Sequence, residues 1–293
     1  MQSKLSYKLI QFHTGNMIPQ IGYGTYQLRG PECQAGVKFA LEAGYRHIDT
    51  ASVYRNEEDI KAALDEVYKT KLVTRSDLFI TSKIGPNEQG YKNTLNACEK
   101  ILSGLNIDYL DLLIIHWPGV GGSKPEEQKN AEIRLETWQA LEKLRQDGKV
   151  KDIGVSNFLK RHLEHLLANS TTVPVINQFE IHPFCYDFET IEFCKKNKIV
   201  VEAYSPLARR DDILFKNEVV HKIAESHAKT IAQVALRWSL QNGFVALPKS
   251  KTEKFIRENF DIFDFELTQE EMTLMGELNK DHHTCWNPSS IEY

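Results

Sequence analysis

Cysteine is scarce in this sequence and badly placed for cross-linking. Its five copies, Cys33, Cys98, Cys185, Cys194 and Cys285, are odd in number and dispersed, with no C-x-x-C pair. That spacing argues against a disulfide framework or thiolate metal site and for buried or incidental thiols; only Cys285, in a polar tail, invites a reactive reading. Long apolar runs are missing too. None approaches a membrane span, and the opening MQSKLSYKLIQF lacks the apolar core of a secretory signal, so the expected location is the cytoplasm. Nor is there a basic excess: 36 Lys and Arg stand against 40 Asp and Glu, a net charge of -4, where a nucleic-acid footprint would show a basic stripe. No G-x-S-x-G elbow presents a nucleophilic serine. Gly22-Tyr23-Gly24-Thr25-Tyr26-Gln27 lacks the third glycine of a dinucleotide turn, and Gly119-Val120-Gly121-Gly122-Ser123-Lys124 has Ser and Lys in the wrong order for a phosphate loop. No metal centre is expected. His162 and His165 are spaced i,i+3 without a third ligand, and His282-His283 reads as a solvated tail pair.

What is present is an ordinary globular composition, 41% hydrophobic and 26% charged, with bulk enough to bury a large core. A small hairpin is expected around the Thr14-Gly15-Asn16 turn, followed by a strand near Ile21–Thr25. Helices then alternate with short apolar runs. The helix from Pro31 to Ala43 has proline at its start and Gly44 past its end. Helices Glu57–Lys69, Tyr91–Leu105, Ala131–Asp147, Arg161–Ala168 and Glu189–Asn197 alternate with strands His47–Asp49, Leu78–Lys83, Tyr109–His116, Val150–Ser156, Val175–Gln178 and Ile199–Tyr204. Two helical stretches, Glu218–Ser226 and Ile231–Gln241, precede a strand at Phe244–Leu247 and a helix-rich tail. Eight mostly unalternating apolar runs describe a parallel sheet covered by helices, and eight such units close into a (β/α)8 barrel.

In such a barrel, function sits on the loops after the strands' C-terminal ends. Those ends deliver Thr25, Asp49, Lys83, His116, Ser156-Asn157, Gln178, Tyr204-Ser205 and Lys249-Ser250 to one rim. Each alone is unremarkable, and their convergence is the signal. The stretch Gly44–Glu58 holds a carboxylate, Asp49, and a phenol, Tyr54, a few residues apart. With a free pKa of about 10, a phenol needs a nearby cation to form its anion, and Lys83, one strand over, is placed to depress the Tyr54 pKa while Asp49 keeps Lys83 charged and oriented. His116 can hydrogen-bond a carbonyl oxygen. This is a proton-donor site for an oxyanion, and with no protein nucleophile a hydride cofactor is the natural partner.

The segments G-Y-R-H-I-D-T-A-x-x-Y-x-N-E-E, T-S-K, I-H-W-P, I-G-V-S-N-F, N-Q-x-E-x-H-P, A-Y-S-P-L and L-P-K-S, in this order, resemble the aldo-keto reductases. The likeness covers aldose and aldehyde reductases, prostaglandin F synthase-type members and 2,5-diketo-gluconate reductase-type members. It implies one (β/α)8 barrel domain over residues 1–293, with an N-terminal hairpin and an active site at the C-terminal face. It implies NADPH/NADP+ bound without a Rossmann fold, and Tyr54 as proton donor in a tetrad with Asp49, Lys83 and His116. Thr25 and Asp49 would line the cofactor; Tyr204 would stack on the nicotinamide; Ser156, Asn157 and Gln178 would hold its carboxamide; Ser205, Pro206 and Leu207 would follow the pyrophosphate. Lys249, Ser250 and Thr252 would receive the ribose 2'-phosphate, with Glu258 and Asn259 at the adenine end. Tyr26, His116, Trp117 and Trp286 would meet the substrate, a small carbonyl compound.

Two departures stand out. Phe255 occupies the position where the family often has an adenine-packing arginine, which narrows the NADPH margin and admits NADH, with Lys254 or Arg257 as compensating charges. Tyr26 and Gly85 stand where the family commonly has tryptophans, while the insertion Gly119–Asn130 and the tail His282–Tyr293 are individual to this chain. The implied activity is NADPH-dependent reduction of aldehydes, extending to ketones or small sugars, by a monomer. The alternatives are alcohol oxidation at the same site, or a cofactor-binding regulatory or structural barrel.

Overall fold

The computed structural model describes residues 8–292. Residues 1–7, part of the leading stretch without a secretory signal, and Tyr293 of the tail lie outside them. A two-stranded antiparallel hairpin, β1 (Leu9–Gln11) and β2 (Met17–Pro19), opens the chain. Then follow β3 (Tyr23–Gly24), α1 (Gly30–Ala43), β4 (His47–Asp49), α2 (Glu57–Lys69), β5 (Phe79–Ile84), α3 (Tyr91–Leu105), β6 (Leu110–Ile115), α4 (Lys129–Gln146), β7 (Val150–Ser156), α5 (Lys160–Asn169), β8 (Ile176–Glu180), α6 (Phe188–Lys196) and β9 (Val200–Tyr204). The chain ends with α7 (Asp212–Phe215), α8 (Glu218–Ser226), α9 (Ile231–Gln241), β10 (Val245–Leu247), α10 (Glu253–Phe260) and α11 (Gln269–Gly276). The expected elements are all present, with ends moved by a residue or two as helix and strand termini commonly are. The long connection before Asn217 carries a 3-10 turn, Ala208–Arg210, and α7.

Strands β3 to β10 form one parallel sheet in sequence order. Its two edges meet: Ile21 bridges Ala246, and Gly22 and Gly24 donate backbone bonds to Ala246 and Pro248 at 2.9 and 3.1 Å. This is a (β/α)8 barrel. Strands β5 and β6 are buried along their whole length, because helices cover the side of the sheet that faces away from the barrel axis. The larger apolar core lies between barrel and helices. A smaller one, containing Phe12, Ile18, Phe79, Val175 and Val245, lies where the hairpin meets the strands' N-terminal ends, and Thr14 and Asn16 pin the hairpin to Asp152 at 2.9 and 2.8 Å. With that end plugged, the open mouth is the C-terminal one. Among the described residues no helix is long and apolar enough to cross a membrane.

Candidate active site

Parallel register brings the tetrad together at that mouth. Asp49 is the last residue of β4 and pairs with Thr81, so Lys83, two residues on along β5, projects to the same side of the sheet. The Lys83 ammonium, fully buried, donates to both Asp49 oxygens at 2.6 and 2.7 Å and to the Thr50 carbonyl at 2.9 Å. All three of its protons are thus engaged. A single 3-10 turn, Ser52–Tyr54, then swings Tyr54 over the mouth. Its ring lies 5.2 Å from the Lys83 nitrogen and 5.8 Å, nearly edge-on, from His116.

The electrostatics correct one expectation. Lys83 does not bring the phenol pKa down toward the working pH: burial first, then Asp49, Tyr26 and Cys285, hold Tyr54 well above an ordinary tyrosine. Asp49 opposes the pull of the lysine on the phenol, and burial outweighs what is left of it. A protonated phenol is the form a proton donor requires. His116 is pushed well below its usual range by burial and by Lys83, so its imidazole is neutral at physiological pH and can donate one N–H without bringing charge.

The expected substrate residues form a continuous wall. Tyr26 lies 5.1 Å from Tyr54, and His116 stacks at 6.2 Å on Trp117, which meets Trp286 edge-on at 4.5 Å. Gly85 has a local cause. A Cβ there would lie 2.5 Å from Val53, so the turn carrying Tyr54 fills the space a larger side chain would need.

The rim from β7 to β10 carries the remaining expected residues. Tyr204 donates to Asn157 Oδ1 at 2.7 Å, and Asn157 to the His116 carbonyl at 2.9 Å. Ser156 donates to the Gln178 carbonyl at 2.7 Å, and the Thr25 hydroxyl to that of Asp49 at 2.9 Å. Ser205 touches the Cys285 sulfur at 3.3 Å. Around Pro206 and Leu207 the backbone is strained: Ser205, Ala208, Arg209 and Arg210 all have φ between 47° and 66°, a region costly for residues with a Cβ. Ser250 accepts at its carbonyl from Tyr23 and at its hydroxyl from the Thr252 amide. Glu258 accepts from Thr230 at 2.9 Å, and Asn259 is buried beside it. Arg257 is held by Glu253 and Glu42 and is not a free compensating charge. The cation at Phe255 is instead Arg210, 5.5 Å from its ring, with Lys254 at 6.0 Å. The sequence reading overlooks Arg209 and Arg210, whose only sequence signal is a basic pair after Ser205-Pro206-Leu207.

The tail pair His282-His283 is anchored by acids rather than free, and His283 is the less exposed of the two. His282 meets Asp211 at 3.2 Å, and His283 bonds Glu180 at 3.1 Å and Asp281 at 3.1 Å. Glu180, the last residue of β8, also accepts from the Thr284 amide at 2.8 Å, the Thr284 hydroxyl, and the Cys285 amide at 3.2 Å. Burial pushes the Glu180 carboxyl up, but the bonds from His182, His283 and Thr284 outweigh it and hold it well below the usual range. One carboxylate thereby seats the tail that carries Trp286. Further on, Arg161 and His162 bind the Ile291 carbonyl at 2.6 and 2.9 Å, and Glu292 bonds Pro125 in the 119–130 insertion at 3.1 Å. The Glu180 bond raises the His283 pKa against the opposing effect of burial. A histidine raised on folding stabilises below its ordinary pKa of about 6.5 and loses that contribution as pH rises through its folded value. Hydrogen-exchange protection of the Thr284 and Cys285 amides should therefore decline over that range, and Glu180→Gln, which keeps a single acceptor oxygen, should lower the protection and remove its pH dependence.

The profile of the Aldo/keto reductase family matches residues 20–280. The glyoxal reductase of Bacillus subtilis (strain 168) is 46% identical over 283 residues, covering 96% of either chain. The 9,11-endoperoxide prostaglandin H2 reductase of Trypanosoma cruzi (strain CL Brener) is 39% identical over 288 residues, 98% of this chain and 96% of that one. Among solved structures, a Bombyx mori aldo-keto reductase in complex with NADP superposes with a TM-score of 0.89 at 32% identity, covering 98% of this chain and 97% of the other. With the barrel, its hairpin and these matches over nearly the whole length, the chain belongs to the aldo/keto reductase family and is an oxidoreductase.

Proposed function

We propose that the chain reduces small aldehydes, with dicarbonyls such as glyoxal among them, to alcohols with NADPH, Tyr54 giving the proton. The observation that carries this reading is the seating of the Tyr54 phenol beside the His116 imidazole at the barrel mouth, above a Lys83 ammonium held by Asp49; burial keeps the phenol protonated and the imidazole neutral. When bound, the dihydronicotinamide supplies a hydride to the carbonyl carbon. His116 orients the carbonyl oxygen through a hydrogen bond. As negative charge develops on that oxygen, the Tyr54 proton moves to it, and the Lys83 ammonium beneath, held in place by Asp49, offsets part of the charge left on the phenolate. The wall from Tyr26 to Trp286 gives an apolar lining that suits a compact substrate.

The residues of the β9–β10 side fit a phosphorylated dinucleotide. Lys249 has no carboxylate in ion-pair contact among the described residues, and burial, then Lys251 and Arg209, hold its pKa below that of an ordinary lysine. Crowded cations of this kind are relieved by an anion, and a 2'-phosphate at Lys249 would supply it. Lys249→Met should weaken NADPH by about tenfold or more, the worth of a hydrogen bond to a charged group, ~1.5–3 kcal/mol, and leave NADH nearly unchanged. Fluorescence titration of both cofactors reads this directly. Equal dissociation constants for the two in the wild type would remove the NADPH preference.

A further inference from the structure

Beneath the tetrad lies a second carboxyl group. Glu202, in the middle of β9, has no solvent exposure and projects into the barrel beside Gln178, its register partner on β8. The Gln178 amide nitrogen donates to Glu202 Oε2 at 2.7 Å and to Asp49 Oδ2 at 2.9 Å. One amide thus bridges two carboxyl groups. Only an NH2 can serve two such acceptors, so the bridge fixes the amide's orientation and turns its carbonyl oxygen away from both.

The surroundings hold a single cation for the two acids. That cation is Lys83, and its three protons go to Asp49 and Thr50. From β4, His47 also faces Glu202, with Nδ1 3.8 Å from Oε1; neither atom has a hydrogen-bond partner among the described residues. Burial and Lys83 push His47 down to about 3, so its ring is neutral. The backbone of Gly22 closes over that ring, where a Cβ would lie 2.5 Å from Nδ1. On the other side, β10 contributes only Val245, Ala246 and Leu247. An ionised Glu202 would be a buried charge with one neutral donor and a like charge beyond it. Such a group keeps its proton instead.

We propose that Glu202 is a positioning residue: a carboxylic acid that retains its proton at neutral pH and, through Gln178, locks the amide and Asp49 beneath the reacting groups. The kinetic part of this role rests on the carbonyl-reducing reading of the site. Burial and Asp49 raise the Glu202 pKa to about 8, against the Gln178 bond and Lys83. As pH rises through that value, ionisation adds negative charge beside Asp49 and makes Tyr54 a poorer acid.

Two measurements test the assignment. In the cofactor-free protein at neutral pH, the infrared carbonyl stretch of a buried carboxylic acid should disappear in Glu202→Gln. In steady-state aldehyde reduction, wild-type kcat should fall as pH rises through about 8. Glu202→Gln keeps an acceptor for Gln178 but has no proton to lose, so that fall should vanish. Glu202→Leu removes the acceptor too and should lower kcat at every pH. The infrared measurement needs no turnover, so it separates failure of this inference from failure of the reductase reading. An acid band that survives Glu202→Gln, or an alkaline fall of the same size in that variant, would overturn the proposal.

Discussion

Replacing Tyr54 with phenylalanine should lower kcat for aldehyde reduction by about 10²- to 10⁴-fold, the usual contribution of a positioned general acid, while leaving NADPH affinity unchanged. The reasoning is local. The phenol hydroxyl is the group being removed, whereas the ring's contacts with Tyr26, His116 and the Lys83 nitrogen, at 5.1, 5.8 and 5.2 Å, survive in phenylalanine. The site therefore keeps its shape and loses its proton. A variant with full turnover would mean that another group, such as His116, protonates the product oxygen. His116→Gln separates the two: a donor of hydrogen bonds but not of protons in that position should retain more activity than Tyr54→Phe.

Lys83→Met should damage stability as well as catalysis. Asp49 would be left as a buried carboxylate with the Gln178 amide as its main side-chain donor. Removing one member of a buried ion pair costs roughly 3–5 kcal/mol, visible as a lower denaturant midpoint with an unchanged slope. Adding Asp49→Asn removes the stranded charge. The double variant should recover most of that stability and none of the activity, because the phenolate formed on proton transfer still lacks its cation. If single and double variants were equally unstable, the pair would matter through packing rather than charge.

Local chemistry carried most of the fold into view. The proline at the start of α1 and the left-handed Gly44 after it, with φ of 112°, bound that helix in sequence and structure alike. The all-buried strands Phe79–Ile84 and Leu110–Ile115 read as apolar runs with Asp111, Lys83 and neighbouring polar groups as exceptions. The convergence of Asp49, Lys83 and His116 was legible because strand ends in a barrel share one rim, while Tyr54, on the turn after β4, entered through its closeness in sequence to Asp49 and the family resemblance. What stayed hidden depended on partners distant in sequence. His283 meets Glu180 across 103 residues, so a histidine pair in a polar tail gave no hint of its anchor. Arg210 reaches Phe255 through a strained turn no pattern announces. Glu202 is a lone acid in Val200-Val201-Glu202-Ala203-Tyr204, and nothing nearby reveals that its neighbour across the barrel is Asp49. The expected effect of Lys83 on Tyr54 was off for a related reason: proximity was legible, but the burial of the phenol and the closeness of Asp49 to the lysine were matters of the folded structure.

The central claim is that this site moves a hydride from NADPH to a carbonyl carbon while Tyr54 supplies the proton. It is tested most directly by turning over an aldehyde such as glyoxal with NADPH deuterated at the nicotinamide C4 and analysing the alcohol by mass spectrometry. The predicted result is deuterium on the carbinol carbon from only one of the two C4 epimers. Absence of NADPH oxidation across a panel of small aldehydes, or an alcohol without the label from either epimer, would contradict it.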